Sequence, residues 1–271
     1  MTGKEIRLSK LFSGGKNAVV IAVDHGEFDG PLPGMVDLPE AVKNIDSSVD
    51  AVLLSPGMLS HCGHAFGYKG APLAIVRLNW SSHFCFGWSY SEGIAVPSAC
   101  AADMAAAGAD IVLACLTLRT GSETTDSANV QVFAKLVSEA NRVGLPVVGE
   151  YFPAATHRLS EEELHHEILK GCRIAAELGA DLIKTFYTCK FREVTESCPV
   201  PILGLGAEKT PKQVQALELA GNIVRDGGSW VVFGRNAVQV SDPAAFQRAL
   251  CDVVKNGVSP SDAVSKHQLM D

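Results

Sequence analysis

The sequence predicts a single closed (β/α)8 barrel spanning residues 1–271, with eight parallel strands that alternate with helices. Eight short aliphatic, β-branched runs recur along the chain, and helix signals lie between several of them. No linker or low-complexity segment divides the 271 residues. The composition, 47% hydrophobic but only 7% aromatic, is typical of a parallel sheet covered by helices. An open, doubly wound sheet is the alternative.

The apolar runs give the predicted strands, and glycines mark where several helices end. The runs are 18–23, 51–54, 73–78, 111–116, 146–149, 182–186, 200–205 and 230–233. Gly108, Gly144 and Gly179 lie just before the fourth, fifth and sixth runs, as glycines that close helices do. Residues 55–72 and 79–97 carry few helix signals, so we expect loops with short or distorted helices there.

Three helix starts are marked by capping residues. Ser160 with Glu163 is typical of a capping box, and Thr210 with Gln213 suggests a second one. Asp242 directly precedes a proline, which favours a helix that begins at that proline. These signals place helices between the predicted strands.

Composition also narrows the class of partner and the location. The formal charge of −7 lacks the basic patch that binds nucleic acid, so a small-molecule partner is expected. The sequence has neither a signal-peptide pattern nor an apolar stretch of about 18 residues, which predicts a cytoplasmic protein without a membrane span. The eight cysteines form no CxxC pair, and we expect reduced thiols.

Lys184 lies inside an apolar predicted strand. Strand alternation puts it on the same side as Leu182 and Phe186, so it faces the barrel interior if they do. Burial among apolar groups favours the neutral amine, which attacks a carbonyl carbon to form a Schiff base. A lysine that extends from the strand end into solvent is the alternative.

Acid and base candidates follow the first and fifth predicted strands. Asp24 ends the first strand, where a carboxylate can move protons for a neighbouring amine or hydroxyl, although it can also form a simple turn. His25 falls on the opposite face, and we expect it to form a structural hydrogen bond. Tyr151, Glu150 and Tyr187 are further candidates, each with a packing role as the alternative.

The last two predicted strands end in glycine-containing loops before helix starts. Gly206 and Ala207 form one turn, and Gly234 with Arg235 forms the other. Backbone N–H groups in such turns bind phosphate, and barrels often hold phosphate at these two loops. Arg235 adds a charge that can contact an anion. Ordinary barrel turns are the alternative.

Five segments together resemble the archaeal-type class I fructose-bisphosphate aldolase family, from about residue 15 to 255. That family also contains the 2-amino-3,7-dideoxyheptulosonate synthases and the autoinducer-2 phosphate thiolase. The segments are AVDHG (22–26), GSE (121–123), CRIAAELGADLIKTFY (172–187), SCPVPI (197–202) and GRNAVQ (234–239).

The resemblance implies roles for individual residues and an assembly. It implies that Lys184 is the Schiff-base lysine, that Asp24 takes part in proton transfer, and that the two glycine loops contact phosphate. No cofactor beyond the covalent imine is implied. It further implies a homo-oligomer, a decamer of two pentameric rings.

Two departures from the family pattern bear on the chemistry. The family's aldolases have Tyr-Pro-Arg-Gly after the fifth strand, whereas this chain has Phe-Pro-Ala-Ala at 152–155. Phe152 therefore stands in the place of the acid/base tyrosine, and Tyr151 lies one residue away on the opposite face. Ala207 stands where the family usually has glycine.

We therefore expect a class I aldolase-type lyase, or a related C–C bond transferase, that acts on a phosphorylated ketose or related ketone through Lys184. Three alternatives stay open. The chain can be a thiolase or acyl-transfer enzyme that acts on a phosphorylated diketone. It can be a metal-dependent lyase that uses His61 and His64 together with His25 and His83, or a catalytically silent barrel that binds sugar phosphates.

Overall fold

The predicted barrel is confirmed in a computed structural model, which describes residues 1–90, 92–154 and 156–270. Ala155, the last residue of the departure noted above, lies outside the described residues. The strands are β1 Ala18–Ala22, β2 Ala51–Leu54, β3 Leu73–Arg77, β4 Asn79–Ser81, β5 Ala95–Pro97, β6 Ile111–Leu116, β7 Val147–Tyr151, β8 Leu182–Thr185, β9 Ile202–Leu205 and β10 Trp230–Phe233.

Eight of these strands close the barrel in the order β1-β10-β9-β8-β7-β6-β3-β2, and every pairing between them is parallel. The carboxyl ends of the strands therefore meet at one mouth, which is where barrels of this kind carry their sites. The remaining two strands, β4 and β5, form an antiparallel hairpin between β3 and β6.

Helices connect the barrel strands and cover the outside of the barrel. They are α1 Gly3–Leu11, α2 Gly26–Asp29, α3 Leu38–Ala41, α4 Pro56–Leu59, α5 Ala101–Ala106, α6 Glu123–Arg142, α7 Glu161–Glu177, α8 Phe191–Ser197, α9 Gln213–Arg225, α10 Arg235–Val238, α11 Pro243–Asn256 and α12 Pro260–His267. Short 3₁₀ turns lie at Val42–Asn44, Gly63–Ala65, Ser82–Phe84, Phe86–Trp88 and Thr156–Arg158.

Several local predictions are confirmed. The capping box of Ser160 and Glu163 starts α7, and the Asp242 side chain accepts a hydrogen bond from the backbone of α11. The glycines that were expected to close helices, Gly108, Gly144 and Gly179, have φ values of 104°, 69° and 101°. Those values lie in the left-handed region that glycine adopts without strain.

One local prediction is wrong, and another is incomplete. The helix expected to start near Thr210 starts at Gln213, because the Thr210 hydroxyl and N–H bond to the side chain of Asn236. Residues 79–97 contain 3₁₀ turns, as expected, but also the unexpected β4–β5 hairpin.

Alternate residues of the barrel strands fill the interior with aliphatic side chains. Leu53, Ile75, Leu113 and Leu203 belong to this inner cluster, together with Leu11 of α1. Lys4 of α1 forms an ion pair with Asp181, directly before β8, so α1 lies at the end of the barrel opposite the mouth. No disulfide joins any of the eight cysteines, and no helix in the described part of the chain has the length and apolar character to cross a membrane.

Candidate active site

Four charged side chains lie together inside the mouth. They are Asp24 just beyond β1, Arg77 at the end of β3, Glu150 of β7 and Lys184 of β8, and each is at most 6% exposed. All four continue the inward alternation of their strands. We call this set the charged network. The sequence prediction that Lys184 faces the interior is confirmed, but its neighbours are charged rather than apolar.

Arg77 links the two carboxylates of the network. Its Nη2 and Nε lie 2.8 and 2.9 Å from Oδ2 of Asp24, and its Nη1 lies 2.7 Å from Oε2 of Glu150. The other oxygen of Glu150, Oε1, forms an ion pair with Nζ of Lys184. The charges of the two cations and the two carboxylates cancel, so the almost fully buried network carries no net charge.

The cations keep both carboxylates ionised. Burial would raise the pKa of Asp24, but the charges of Arg77 and Lys184 outweigh that effect and lower it to about 2. Burial would also raise the pKa of Glu150, but the charges of the same two cations outweigh this effect and lower it. Asp24 can therefore accept a proton during a reaction but holds none to donate in the resting site at neutral pH.

An aromatic cluster of Phe28, Phe84, Phe152 and Phe186 covers Arg77 at the mouth. The ring centroid of Phe84 lies 4.8 Å from those of Phe28 and Phe152, and Phe152 lies 4.6 Å from Phe186. The guanidinium of Arg77 lies 5.1 Å from the ring centres of both Phe28 and Phe84, within cation–π range. These rings shield the charged network from water, which strengthens every charge interaction inside it.

The strand register separates Glu150 from Tyr151. Glu150 points inward beside Lys184, and the two residues pair directly across β7 and β8. Tyr151 points outward, and its ring lies so close to Gly171 of α7 that a Cβ there would be 2.0 Å from a ring atom. The expected acid/base role of Tyr151 does not fit this position, because its ring packs between barrel and helix. Tyr187 is also engaged elsewhere, since its hydroxyl donates to Asp226 at 2.6 Å.

His25 lies between Asp24 and the loop after β10. Its Nδ1 is 3.9 Å from Oδ1 of Asp24 and has no hydrogen-bond partner among the described residues, so the structural bond expected of it is not formed at this atom. A Cβ at Gly234 would lie 2.3 Å from Cε1 of His25, so the ring needs glycine there. Burial lowers the pKa of His25, which favours the neutral imidazole.

The two loops expected to contact phosphate lie side by side at the mouth. Nδ2 of Asn236 donates to the carbonyl oxygens of Gly206 and Glu208, both at 2.9 Å. Nη2 of Arg235 donates to the carbonyl oxygen of Ala207 at 3.2 Å, while its buried Nε has no partner within the described residues. Ala207 has a φ of 50°, in the left-handed region that favours glycine. The residue type departs from the family pattern, but the backbone has the conformation that glycine would take.

The histidines of the metal-dependent alternative are spread around the mouth: His25 lies beside Asp24, and His83 packs on the ring of Phe152. His61 and His64 follow β2 on the α4 side of the mouth, and both are exposed. Over residues 1–90, 92–154 and 156–270, no three or more His, Cys, Asp or Glu side chains are grouped so that they could hold a metal ion.

Arg77 is the central residue that sequence reasoning missed. It lies in the apolar run 73–78, just as Lys184 lies in 182–186, and alternation puts it on the side of Ile75. The same reasoning that singled out Lys184 would therefore have found it. Glu150 is a sequence candidate, but the apolar run of the fifth strand ends at residue 149 and so does not place Glu150 beside Lys184.

Comparison with known proteins agrees with this geometry. A profile of the DeoC/LacD family of aldolases matches residues 18–240. An uncharacterized aldolase of Saccharolobus solfataricus is 30% identical over 269 residues, which cover 97% of this chain and 98% of that protein. A 3-hydroxy-5-phosphonooxypentane-2,4-dione thiolase of Klebsiella pneumoniae is 28% identical over 263 residues, which cover 96% of this chain and 84% of that protein.

Two solved structures share the fold. An archaeal fructose 1,6-bisphosphate aldolase aligns over 93% of this chain and 99% of its own, with a TM-score of 0.78 and 24% identity. A Schiff-base-forming fructose-1,6-bisphosphate aldolase, studied through its reaction intermediates, aligns over 92% and 98% with a TM-score of 0.76 and 25% identity.

Proposed function

The chain belongs to the DeoC/LacD family of aldolases, and from this membership we propose that Lys184 forms an imine with a phosphorylated ketose or related ketone. The enzyme is of the aldolase type and makes or breaks the C–C bond between the first and second carbons beyond the imine carbon. The observation that carries the proposal is the buried ion pair of Lys184 and Glu150 at the carboxyl end of a barrel strand.

Glu150 is placed to serve imine formation as a proton carrier. It takes a proton from the Lys184 ammonium, and the neutral amine attacks the carbonyl carbon of the ketone. After a proton moves from nitrogen to oxygen, the adduct is a neutral carbinolamine. Glu150 then returns its proton to the hydroxyl, water leaves, and the iminium forms beside an ionised Glu150. The sum of these steps is one ketone consumed and one water released.

The charge balance of the network is the same before and after these steps. An iminium carries the positive charge that the ammonium carried, so Glu150 stays paired with one cation on Lys184 and one on Arg77. A buried charge without a partner is costly, so a reaction that conserves the pairing avoids a large barrier.

Asp24 is the group that we propose for the C–C step. Its Oδ2 is occupied by Arg77, while Oδ1 faces His25 and is free of the guanidinium contact. In the cleavage direction Asp24 Oδ1 removes the proton of the hydroxyl two carbons from the iminium carbon. The C–C bond breaks, its electron pair forms the C=C bond of an enamine while the C=N pair returns to nitrogen, and an aldehyde leaves.

The paired loops after β9 and β10 supply the site for the phosphate. The backbone N–H groups of Ala207 and Glu208 offer donors after β9, the strand next to β8, and the unpartnered Nε of Arg235 offers another after β10. No described residue accepts a hydrogen bond from those two amides.

Borohydride trapping tests the function. Wild-type protein reduced in the presence of dihydroxyacetone phosphate should gain the mass of one reduced adduct, located on Lys184 by peptide mapping. Lys184→Met should gain none and lose turnover while keeping its fold. Full turnover in Lys184→Met would rule out the imine mechanism.

Acyl transfer is the second candidate, and the 28% identity to the Klebsiella thiolase favours it. Such a reaction would cleave a phosphorylated diketone and transfer the acyl group to a thiol instead of releasing an aldehyde. Product analysis separates the two candidates, since a thioester absorbs in the ultraviolet and an aldehyde reduces to an alcohol.

The assembly and location also remain proposals. We infer a homo-oligomer, and the exposed apolar side chains at the tip of the β4–β5 hairpin support it, with Phe86 61%, Trp88 66% and Tyr90 52% exposed. Sedimentation at micromolar concentration should give a mass well above that of one chain, and the implied decamer is one specific outcome. A cytoplasmic location is the accompanying prediction, to be checked by cell fractionation.

A further inference from the structure

A cavity lies at the mouth beside the charged network. It has a volume of 730 Å³, within the usual range of ligand pockets, and residues that follow β1 and β2 form most of its wall. Met35, Leu38 and Met58 make it largely apolar. Its charged lining residues are Glu27 and Asp37, and no lysine, arginine or histidine is among the described residues that line it.

The cavity lies across the barrel from Lys184. Counted around the barrel, β2 is the fourth strand from β8 in either direction, so these two strands face each other. The loops after β9 and β10, by contrast, follow the first and second strands beyond β8 along the wall. A ketone bound to Lys184 can therefore extend along the wall toward Arg235 or across the mouth toward this cavity.

Glu27 joins the cavity to the network. The charges of Arg77, Asp24 and Glu150 all act on its carboxyl group, so it lies close to the reacting region. Its Oε2 is buried without a hydrogen-bond partner in the described part of the chain. Burial, the largest effect, raises the pKa of Glu27 to about 7, so near neutral pH a large fraction of the group is a neutral acid. A neutral carboxyl group can donate a hydrogen bond to an uncharged ligand oxygen.

We propose that this cavity binds the second half of the substrate, the part that becomes or supplies the aldehyde, and that it accepts an uncharged aldehyde in preference to a phosphorylated one. The proposal rests on the imine at Lys184 set out above. The apolar wall suits a neutral carbon chain, and Glu27 offers its one unpartnered oxygen to a hydroxyl or carbonyl group. A phosphate dianion there would lose its hydration against a largely apolar wall that holds Asp37 and no cation.

Competition between matched aldehydes tests the specificity. Enzyme and dihydroxyacetone phosphate are given D-glyceraldehyde or D-glyceraldehyde 3-phosphate, which differ only in the phosphate, and kcat/KM is measured for each. We expect the uncharged aldehyde to be preferred by about tenfold or more. A preference for the phosphorylated aldehyde would overturn the proposal.

A lysine placed in the cavity should change the preference. Met58→Lys adds a cation to the lining and should shift the ratio toward the phosphorylated aldehyde by about tenfold or more. Val36→Lys, at a lining position that is 73% exposed, makes the same test if Met58→Lys does not fold. Tyr68→Lys adds the same charge at an exposed position outside the lining and should leave the ratio unchanged.

Trapping separates this inference from the function on which it rests. The variants at positions 36, 58 and 68 should all trap dihydroxyacetone phosphate on Lys184 as the wild type does. If trapping succeeds but the lysine variants at positions 36 and 58 shift the ratio no more than Tyr68→Lys, the cavity is not the aldehyde subsite. If the wild type traps no imine, the proposed function fails and this inference fails with it.

Discussion

Glu150→Gln tests the proton carrier of the proposed mechanism directly. Glutamine keeps the shape of the side chain but removes the negative charge that pairs with Lys184 and Arg77. Arg77 keeps its contacts with Asp24, whereas Lys184 loses its ion-pair partner. The buried set then carries one uncompensated positive charge.

The size of both effects follows from this geometry. Removing one partner of a buried ion pair costs about 3–5 kcal/mol, and we expect the lower end, about 3 kcal/mol, since Asp24 remains. For a chain of this length that corresponds to a fall in Tm of about 6–12 °C. The rate of imine formation should fall by at least about 10²-fold, the lower size of a general acid/base contribution.

A rapid-quench experiment measures the rate. Enzyme is mixed with dihydroxyacetone phosphate, quenched with borohydride at successive times, and the fraction of adduct is read by intact mass, with thermal unfolding measured on the same samples. Cys115→Ser is the matched control, because Cys115 pairs with Glu150 across β6 and β7 and is buried beside it without a charge. Adduct formation in Glu150→Gln within about threefold of wild type would show that Glu150 carries no proton in this step.

Three further predictions concern Asp24, Ala207 and Glu27. Asp24→Asn should leave imine trapping intact but slow C–C cleavage by about 10²-fold or more in single turnovers, while the outward Tyr151→Phe changes neither rate. Ala207→Gly should raise the unfolding free energy by about 0.5–1 kcal/mol in denaturant titrations, since φ is 50° there. The pKa of Glu27 is raised from 4.5 to about 7, so the folded state holds a proton that the unfolded state releases, and stability falls as pH rises through that window. Glu27→Gln should remove this fall, about 1–2 kcal/mol after allowance for partial exposure.

Strand alternation accounts for most of what the sequence could predict about the site. It placed Lys184 inside the barrel because Leu182 and Phe186 lie two residues to either side. It also shows why Tyr151 cannot share the interior with Glu150, once β7 is known to extend to residue 151. The strand itself was predicted correctly, but its end was placed at residue 149 instead of 151. Those two residues include Glu150, the side chain that reaches Lys184.

Tertiary contacts account for what the sequence could not predict. The start of α9 depends on the Asn236 side chain, which accepts hydrogen bonds from Thr210 at 2.8 and 3.0 Å from a position 26 residues away. The β4–β5 hairpin pairs two segments of three residues each, Asn79–Ser81 and Ala95–Pro97, which are too short to show a period of two. The cavity beside Glu27 is formed by loops from two βα units, and no local pattern encodes their approach.

The charged network is better explained by chemistry than by stability. Replacing a buried ion set with apolar side chains of similar volume is often neutral or stabilising, so a barrel does not need four charges at its mouth in order to fold. A lysine that forms an imine does need them, because it carries a positive charge as ammonium and as iminium and must lose that charge briefly between the two. Glu150 can hold the proton during that interval, and Arg77 keeps Glu150 and Asp24 ionised before and after it. The arrangement therefore stabilises both charged forms of Lys184 and gives the proton of the neutral form a defined place, which a lone lysine among apolar residues would lack.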